Sequence, residues 1–598
     1  MNTTLFKKVD YTLSKLIHDI DHGEIGLPDI QRPFVWEAAK VRDLFDSMYK
    51  GFPVGYLLFW ANALASSSRV IGIEGKQAIP HLLIVDGQQR LTSLYAVLKG
   101  RPVLDKDYKE RRIQIAFRPT DASFEVADAA IRRNPEYIPD ISALWAGEVS
   151  RNRFVRQFID RLKASREVDD DEEDYLIETI DRLYDLHNYP FTVLELSASV
   201  DEEQVADVFV RINSQGVTLK QADFILTLMS VYWEEGRKQL ERFCHDSRRP
   251  ANGVPSPHNH FVEPDPDQLL RVAVGLGFRR ARLKFVYSIL RGKDLETEEF
   301  SDELREQQFD VLKGAQGYTL DLLNWHEYLK ALIRAGFRNG GMVTSKTTLF
   351  YCYTMYLIGR RDYRVDHYQL GNLIAAWFFM CALTRRYTSS PETIMEGDLA
   401  RLRTTATASE FVEVLTRIMR DALTEDYWNI TLPNELESSS AFSPALSAYH
   451  ASLNMQGARA LFSELRVADL MDPALIANRS HVERHHLFPR AYLKEIGIVD
   501  QKIINQIANF AYVEWADNIQ ISDTSPAVYF PRFAERCEPD ELQQMMRWHA
   551  LPDDWHTMEY TDFLEARRKQ MAQVIRSGYE HLAGRLREWT VQVNTPGV

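Results

Sequence analysis

The string HVERHHLFPRAYL places two histidines, His485 and His486, side by side. On an extended segment neighbouring side chains point to opposite sides, so one imidazole could bind a metal ion while the other faces a substrate. Two asparagines follow, Asn509 and Asn518, in INQIANFAYVEWADNIQ. Their spacing suits a short loop or strand leading into a helix. Taken alone, a His-His pair is just as readily a pair of surface histidines. A structural zinc site is disfavoured, because no cysteine lies near: the four are Cys244, Cys352, Cys381 and Cys537, without CxxC pairing.

A second chemical grouping lies in LLIVDGQQRLTSLYAVLKG, residues 82–100. An apolar strand ends at Asp86, Gly87 permits a tight turn, and an amphipathic helix follows. The start of such a helix carries partial positive charge and free N–H groups, which attract phosphate. Arg90 offers a planar donor fork, Gln88 and Gln89 can orient a water or read a base edge, and Asp86 can hold a cation or a ribose hydroxyl. No GxxxxGK[ST] is present. The bland alternative is a structural turn with a surface arginine. Two further strings bear on it. QRPFVW sets Gln31 and Arg32 before a rigid proline, and FVRIN sets Phe209 and Asn213 on one helical face, an aromatic to stack on a base and an amide to bond it.

QRPFVW, VDGQQR and FVRIN, in that order, resemble the N-terminal domain of the GmrS/GmrD-type modification-dependent restriction enzymes. The resemblance spans about residues 10–230. It implies a ParB/sulfiredoxin-like fold associated with nucleoside-triphosphate hydrolysis, with Gln31, Arg32, Asp86, Gly87, Gln88, Gln89, Arg90, Phe209 and Asn213 as nucleotide-binding residues. The later string is similar to the HNH (ββα-metal) nuclease motif, in particular to the nuclease of the same family. That similarity implies His485 as first metal ligand, where many HNH enzymes carry Asp, and His486 as general base. It further implies Asn509 as a brace of the loop and Asn518 as second metal ligand. Glu483 is near enough in sequence to assist. SPAVYF, YTDFLEARRKQM and ALTRRYTSSPET also resemble segments of the family.

The implied chemistry is phosphodiester hydrolysis. Mg²⁺ or Mn²⁺ would stabilise charge on the phosphate, and a histidine with an ordinary pKa of about 6.5 would deprotonate water near neutrality. The reading requires His485 and Asn518 to lie close enough to share one ion.

The elements that must position these residues follow from periodicity. At 598 residues the chain is too long for one core, and 45% hydrophobic with 26% charged residues marks ordinary globular material. Helix 37–50, strands near 54–60 and in RRIQIAFRPT, and strand 191–197 give an α+β N-terminal domain. The acidic run EVDDDEED, 167–174, is expected as an exposed loop, and residues 245–268 as a linker or long surface loop. Residues 269 to about 470 read as helical, with Leu373 to Leu383 a buried helix too short to span a membrane. Residues 480–535 are short and irregular, and the tail is one long helix packing back. The expected domains are 1–230, 231–470 and 471–598. Trp36 and Trp60 could line a recognition pocket or simply pack in the core.

MNTTLFKKVDYTL lacks an apolar run, so no signal peptide is expected, and a reducing cytoplasm suits unpaired cysteines. The net charge of −14 argues against coating nucleic acid nonspecifically, but Arg271 to Lys293 contains seven Lys/Arg and no acid. That run is either a solvated helix face or a phosphate-contacting surface. The sum is a nucleotide-regulated, modification-sensing DNA endonuclease or nickase of prokaryotic antiphage defence. Its expected partners are modified double-stranded DNA, a nucleoside triphosphate such as GTP or ATP, and a second copy of itself, with no membrane. Two alternatives stand beside it: a nucleotide-dependent DNA-binding module with an inactive HNH site, and a triphosphate-hydrolysing sensor that never cuts DNA.

Overall fold

The computed structural model describes residues 5–26, 36–61, 80–104, 109–146, 150–200, 204–205, 208, 221–250, 253–293, 301–473 and 482–593. Gln31, Arg32, Phe209 and Asn213 lie outside them. The chain divides into two compact units, Met1–Arg237 and Lys238–Val598. The regions expected as helical middle and nuclease thus share one unit.

The first unit is built on strands β1 Phe6–Thr12, β2 Ile25–Gly26, β3 Leu57–Ala61, β4 Leu82–Asp86 and, late in the unit, β9 Pro190–Leu196. Between β4 and β9 come two short pairs, β5 Val103–Leu104 with β6 Glu110–Arg111 and β7 Ile115–Arg118 with β8 Ser123–Val126. The main sheet runs β1-β9-β3-β4-β2. β1 and β9 are antiparallel, β9 and β3 parallel, β3 and β4 antiparallel with an irregularity at Leu58/Phe59, and β4 and β2 parallel. The sheet is therefore mixed, and its last strand in the chain, β9, inserts between β1 and β3.

Helix Ala38–Tyr49 shows why these elements pack. Ala38, Val41, Phe45 and Met48 recur at helical spacing and are all buried. They join Leu57 and Phe59 of β3, Leu91 and Leu94 of the helix after β4, and Phe191 and Val193 of β9 in one core. Fully burying a side chain of this size contributes about 1.5–3 kcal/mol. Trp60 is buried and Trp36 packs against this core, so both do core work.

The acidic run is not a loop. Asp169 accepts from Glu172 N at 2.8 Å and caps a helix, Asp170–Tyr184, whose first turn is Asp170, Asp171, Glu172 and Glu173. Carboxylates are favoured there because they face the positive end of the helix dipole. Arg166 and Lys163 pair with Glu172 and Glu173 and offset their mutual repulsion.

The second unit is mostly helical. The expected linker is docked within it: Trp325 Nε1 donates to Pro257 O at 3.0 Å, His326 Nε2 bonds Ser256 O at 2.8 Å, and Gly340 N donates to His260 O at 2.8 Å. Within helix His367–Leu383 the apolar run from Leu373 to Leu383 is buried nearly throughout, as expected. Three of the seven basic residues of the stretch are ion-paired and so are not free for phosphate, while Lys284 is exposed. Arg271 pairs with Glu392, Arg279 with Asp362, and Arg280 with Glu396, which also accepts from Ala281 N and Arg282 N. Its acidic complement comes from other helices, which no local window of sequence reveals. The last described element is the 34-residue helix Tyr560–Val593. Among the described residues no helix is long and apolar enough to cross a membrane.

Candidate active site

Strand β10 Val482–His486 pairs antiparallel with β11 Phe510–Glu514, His485 opposite Ala511 and His486 opposite Phe510. Helix Trp515–Ile521 follows β11 directly and carries Asn518. Alternation along β10 separates the two imidazoles: His485 is buried and His486 is partly open, with its ring 4.3 Å from that of Phe510. Glu483 pairs with Val513 through the backbone of the same ladder.

His485 Nδ1 lies 2.6 Å from Asn518 Oδ1. The two side chains expected to share an ion are thus in contact. Burial pushes the His485 pKa down to about 4; the Asn518 contact opposes this and neighbouring His486 adds to it. The imidazole is therefore neutral at pH 7, the form in which a histidine ligates metal. Its Nε2 is buried without a partner. Because an amide oxygen only accepts, this contact carries the proton on Nδ1 and leaves the imidazole lone pair on Nε2; a divalent ion shared by both side chains would take the place of this hydrogen bond, with water and phosphate oxygens completing its shell. Imidazole favours Mn²⁺ over Mg²⁺ in such a pair. Among the described residues no cluster of three His, Cys, Asp or Glu gathers, so any ion here would lean on ligands outside the side chains of that set.

Asn509 is completely buried and fully used. Its Oδ1 accepts from Phe488 N at 2.9 Å, and its Nδ2 donates to Phe488 O at 3.1 Å and Ile504 O at 3.0 Å. Its backbone carbonyl accepts from Leu487 N at 2.8 Å. One amide thereby ties the end of β10 to the segment that re-enters as β11. Tyr529 adds a hydroxyl donated to Leu487 O at 2.8 Å, and its ring stands edge-on to His485.

Sequence reading missed two contributors. Asn505 Oδ1 lies 3.0 Å from His486 Nε2. Arg567, in the terminal helix, is completely buried yet pairs with no carboxylate among the described residues. It donates from Nη1 to Ala508 O at 2.6 Å, from Nη2 to Phe510 O at 2.8 Å and from Nε to His549 O at 3.1 Å. Burial lowers its pKa, while the surrounding tyrosines oppose that. A signal for Arg567 did exist: it falls at helical spacing between Phe563 and Met571, both buried.

In the first unit, Gly87 has φ +94°, and a Cβ there would meet Leu57 Cδ2 at 2.2 Å. The turn into helix Gln88–Leu98 therefore needs glycine. Arg90 is turned inward: Nη1 donates to Val54 O at 2.5 Å, and Nη2 to Tyr56 O at 2.8 Å and to Asp86 Oδ2 at 3.2 Å. Burial lowers its pKa and Asp86 opposes the shift. Gly55, with φ +88°, lets the fork come close, since a Cβ would lie 2.6 Å from Nη1. Arg90 thus fastens the 54–56 turn to the end of β4. Gln88 and Gln89 open the helix beside it, half-buried.

Comparison with known proteins bears on both units. An uncharacterized protein of Methanocaldococcus jannaschii is 22% identical over 548 residues, covering 88% of this chain and 87% of the relative. Residues 13–230 match the family model described as the GmrSD restriction endonuclease, N-terminal domain, so the unit holding the Asp86–Arg90 corner is similar to part of a restriction endonuclease.

Proposed function

We propose that this chain is a modification-sensing DNA endonuclease or nickase of prokaryotic antiphage defence, with an HNH centre at His485, His486, Asn509 and Asn518. Nucleotide bound at the Asp86–Arg90 corner would control it. The observation that carries the reading is the 2.6 Å contact of His485 with Asn518 across a hairpin and the helix after it, with Asn509 bracing the turn. The match of residues 13–230 to a restriction-endonuclease domain supports DNA as the substrate.

His485 and Asn518 would hold Mn²⁺ or Mg²⁺, which supplies charge stabilisation for the scissile phosphate and its leaving oxygen. His486, the imidazole open to solvent, accepts a proton from the attacking water. Phe510 supports its ring, and Asn509 keeps the two strand ends together. In the first unit, the first-turn amides after Gly87 would face phosphate, and Asp86 would take a cation or ribose hydroxyl. Arg90 supports this corner by holding the 54–56 turn. Gln31, Arg32, Phe209 and Asn213 complete the nucleotide reading. A homodimer would let two such centres cut both strands.

The test is supercoiled plasmid, modified and unmodified, incubated with Mn²⁺ or Mg²⁺ and with each nucleoside triphosphate in turn. His486→Ala should abolish nicking and spare triphosphate hydrolysis. Arg90→Ala should abolish hydrolysis and change only the control of nicking. Equal loss of both activities in either variant defeats the two-site reading. DNA binding without cleavage, or hydrolysis with intact DNA, would favour the two alternatives.

A further inference from the structure

The terminal helix Tyr560–Val593 grips one short segment of the candidate nuclease from end to end. Tyr560 donates its hydroxyl to Ile503 O at 2.9 Å and shares it with Ile504 O. Arg567 donates to Ala508 O and Phe510 O, and Arg568 Nη1 donates to Gln506 Oε1 at 2.8 Å. Ile507 N adds a bond to Ser438 O at 2.7 Å. Between these anchors sits Asn505, whose own N–H donates to Gln501 O at 3.0 Å and ends the turn Gln501–Ile504. A side chain on so firmly held a backbone has a fixed position, and its amide oxygen lies 3.0 Å from His486 Nε2.

From this juxtaposition, and resting on the nuclease reading, we infer that Asn505 is a positioning residue for His486. An amide oxygen can only accept, so the contact requires the proton to be on Nε2. In a neutral imidazole the lone pair then belongs to Nδ1, the nitrogen left to take the proton of the attacking water. Phe510 limits the ring from one face while Asn505 fixes its rotation in plane. The terminal helix, distant in sequence, thereby sets the aim of the base.

The test compares Asn505→Leu, similar in size with no polar group, with Asn505→Asp, which can only accept. Nicking of modified plasmid is measured with Mn²⁺ on the alkaline plateau of each variant's pH–rate profile. Asn505→Leu should nick about tenfold more slowly, part of the effect of losing a general base. Asn505→Asp should stay within about threefold of the unsubstituted protein. Mn²⁺ affinity by calorimetry should be unchanged in both. Nicking by Asn505→Leu at full rate overturns the inference. So does Asn505→Asp as slow as Asn505→Leu, which would mean that Asn505 must donate. Lost Mn²⁺ binding in Asn505→Leu also overturns it, by marking a purely structural role. An unsubstituted protein that nicks no plasmid overturns the nuclease reading instead. The inference is then judged from long-range proton–nitrogen correlations of ¹⁵N-histidine-labelled protein: His486 protonated on Nε2 supports it, and His486 protonated on Nδ1 overturns it.

Discussion

Replacing Asn509 by alanine should release the turn that joins the two strands of the candidate nuclease. The amide makes three side-chain hydrogen bonds in a completely buried position, to Phe488 N, Phe488 O and Ile504 O. Alanine leaves Phe488 N and Phe488 O buried and unsatisfied, at about 1–3 kcal/mol each, and leaves Ile504 O with only its share of the Tyr560 hydroxyl, so the local cost is about 3 kcal/mol. The two compact units make a single global unfolding energy ill-defined. Hydrogen exchange of the segment 484–512 reads the local opening instead. About 3 kcal/mol corresponds to roughly two decades of exchange rate, and the amides of Leu487 and Phe488, which both bond to Asn509, should lose the most. Asn509→Asp should not rescue them, because a carboxylate accepts from Phe488 N but cannot donate to Phe488 O or Ile504 O. Protection of this segment within threefold of the original protein in Asn509→Ala would refute the bracing argument.

Other consequences are equally direct. Arg567→Met keeps the length of the side chain but strands the carbonyls of Ala508, Phe510 and His549; it should lower the stability of the second unit by about 3 kcal/mol, seen as a lower urea midpoint for that unit. Gly87→Ala meets both a left-handed φ and Leu57, and should cost the first unit about 3 kcal/mol, measured by its thermal midpoint. His549 is completely buried, with a pKa that burial pushes down to about 4. Its unfolded form binds a proton below about 6.5 and its folded form does not, so stability is full above about pH 6.5 and falls as the pH drops towards 4. At pH 5 the loss is about 2 kcal/mol, and His549→Gln should flatten that part of a urea-midpoint-against-pH curve.

Local chemistry determined a good deal here without any fold. Continuous apolar runs marked the strand before Asp86 and the buried helix His367–Leu383, and helical spacing marked Ala38–Tyr49, because each carries in its own residues the surface it buries. Adjacent histidines on a strand had to diverge, and Gly87 had to turn. Tertiary structure decided what those groups touch. Whether Arg90 faces a ligand or the 54–56 turn depended on where Val54 and Tyr56 turn their carbonyls. Whether Arg271 to Lys293 is a free cationic surface depended on Glu392, Glu396 and Asp362, about a hundred residues downstream. Asn505 gained its partner, and Arg567 its three carbonyls, only when the terminal helix closed over the hairpin. A hydrogen bond or ion pair is set by distance in space, and sequence records distance only over the few residues that one helical turn or strand repeat spans.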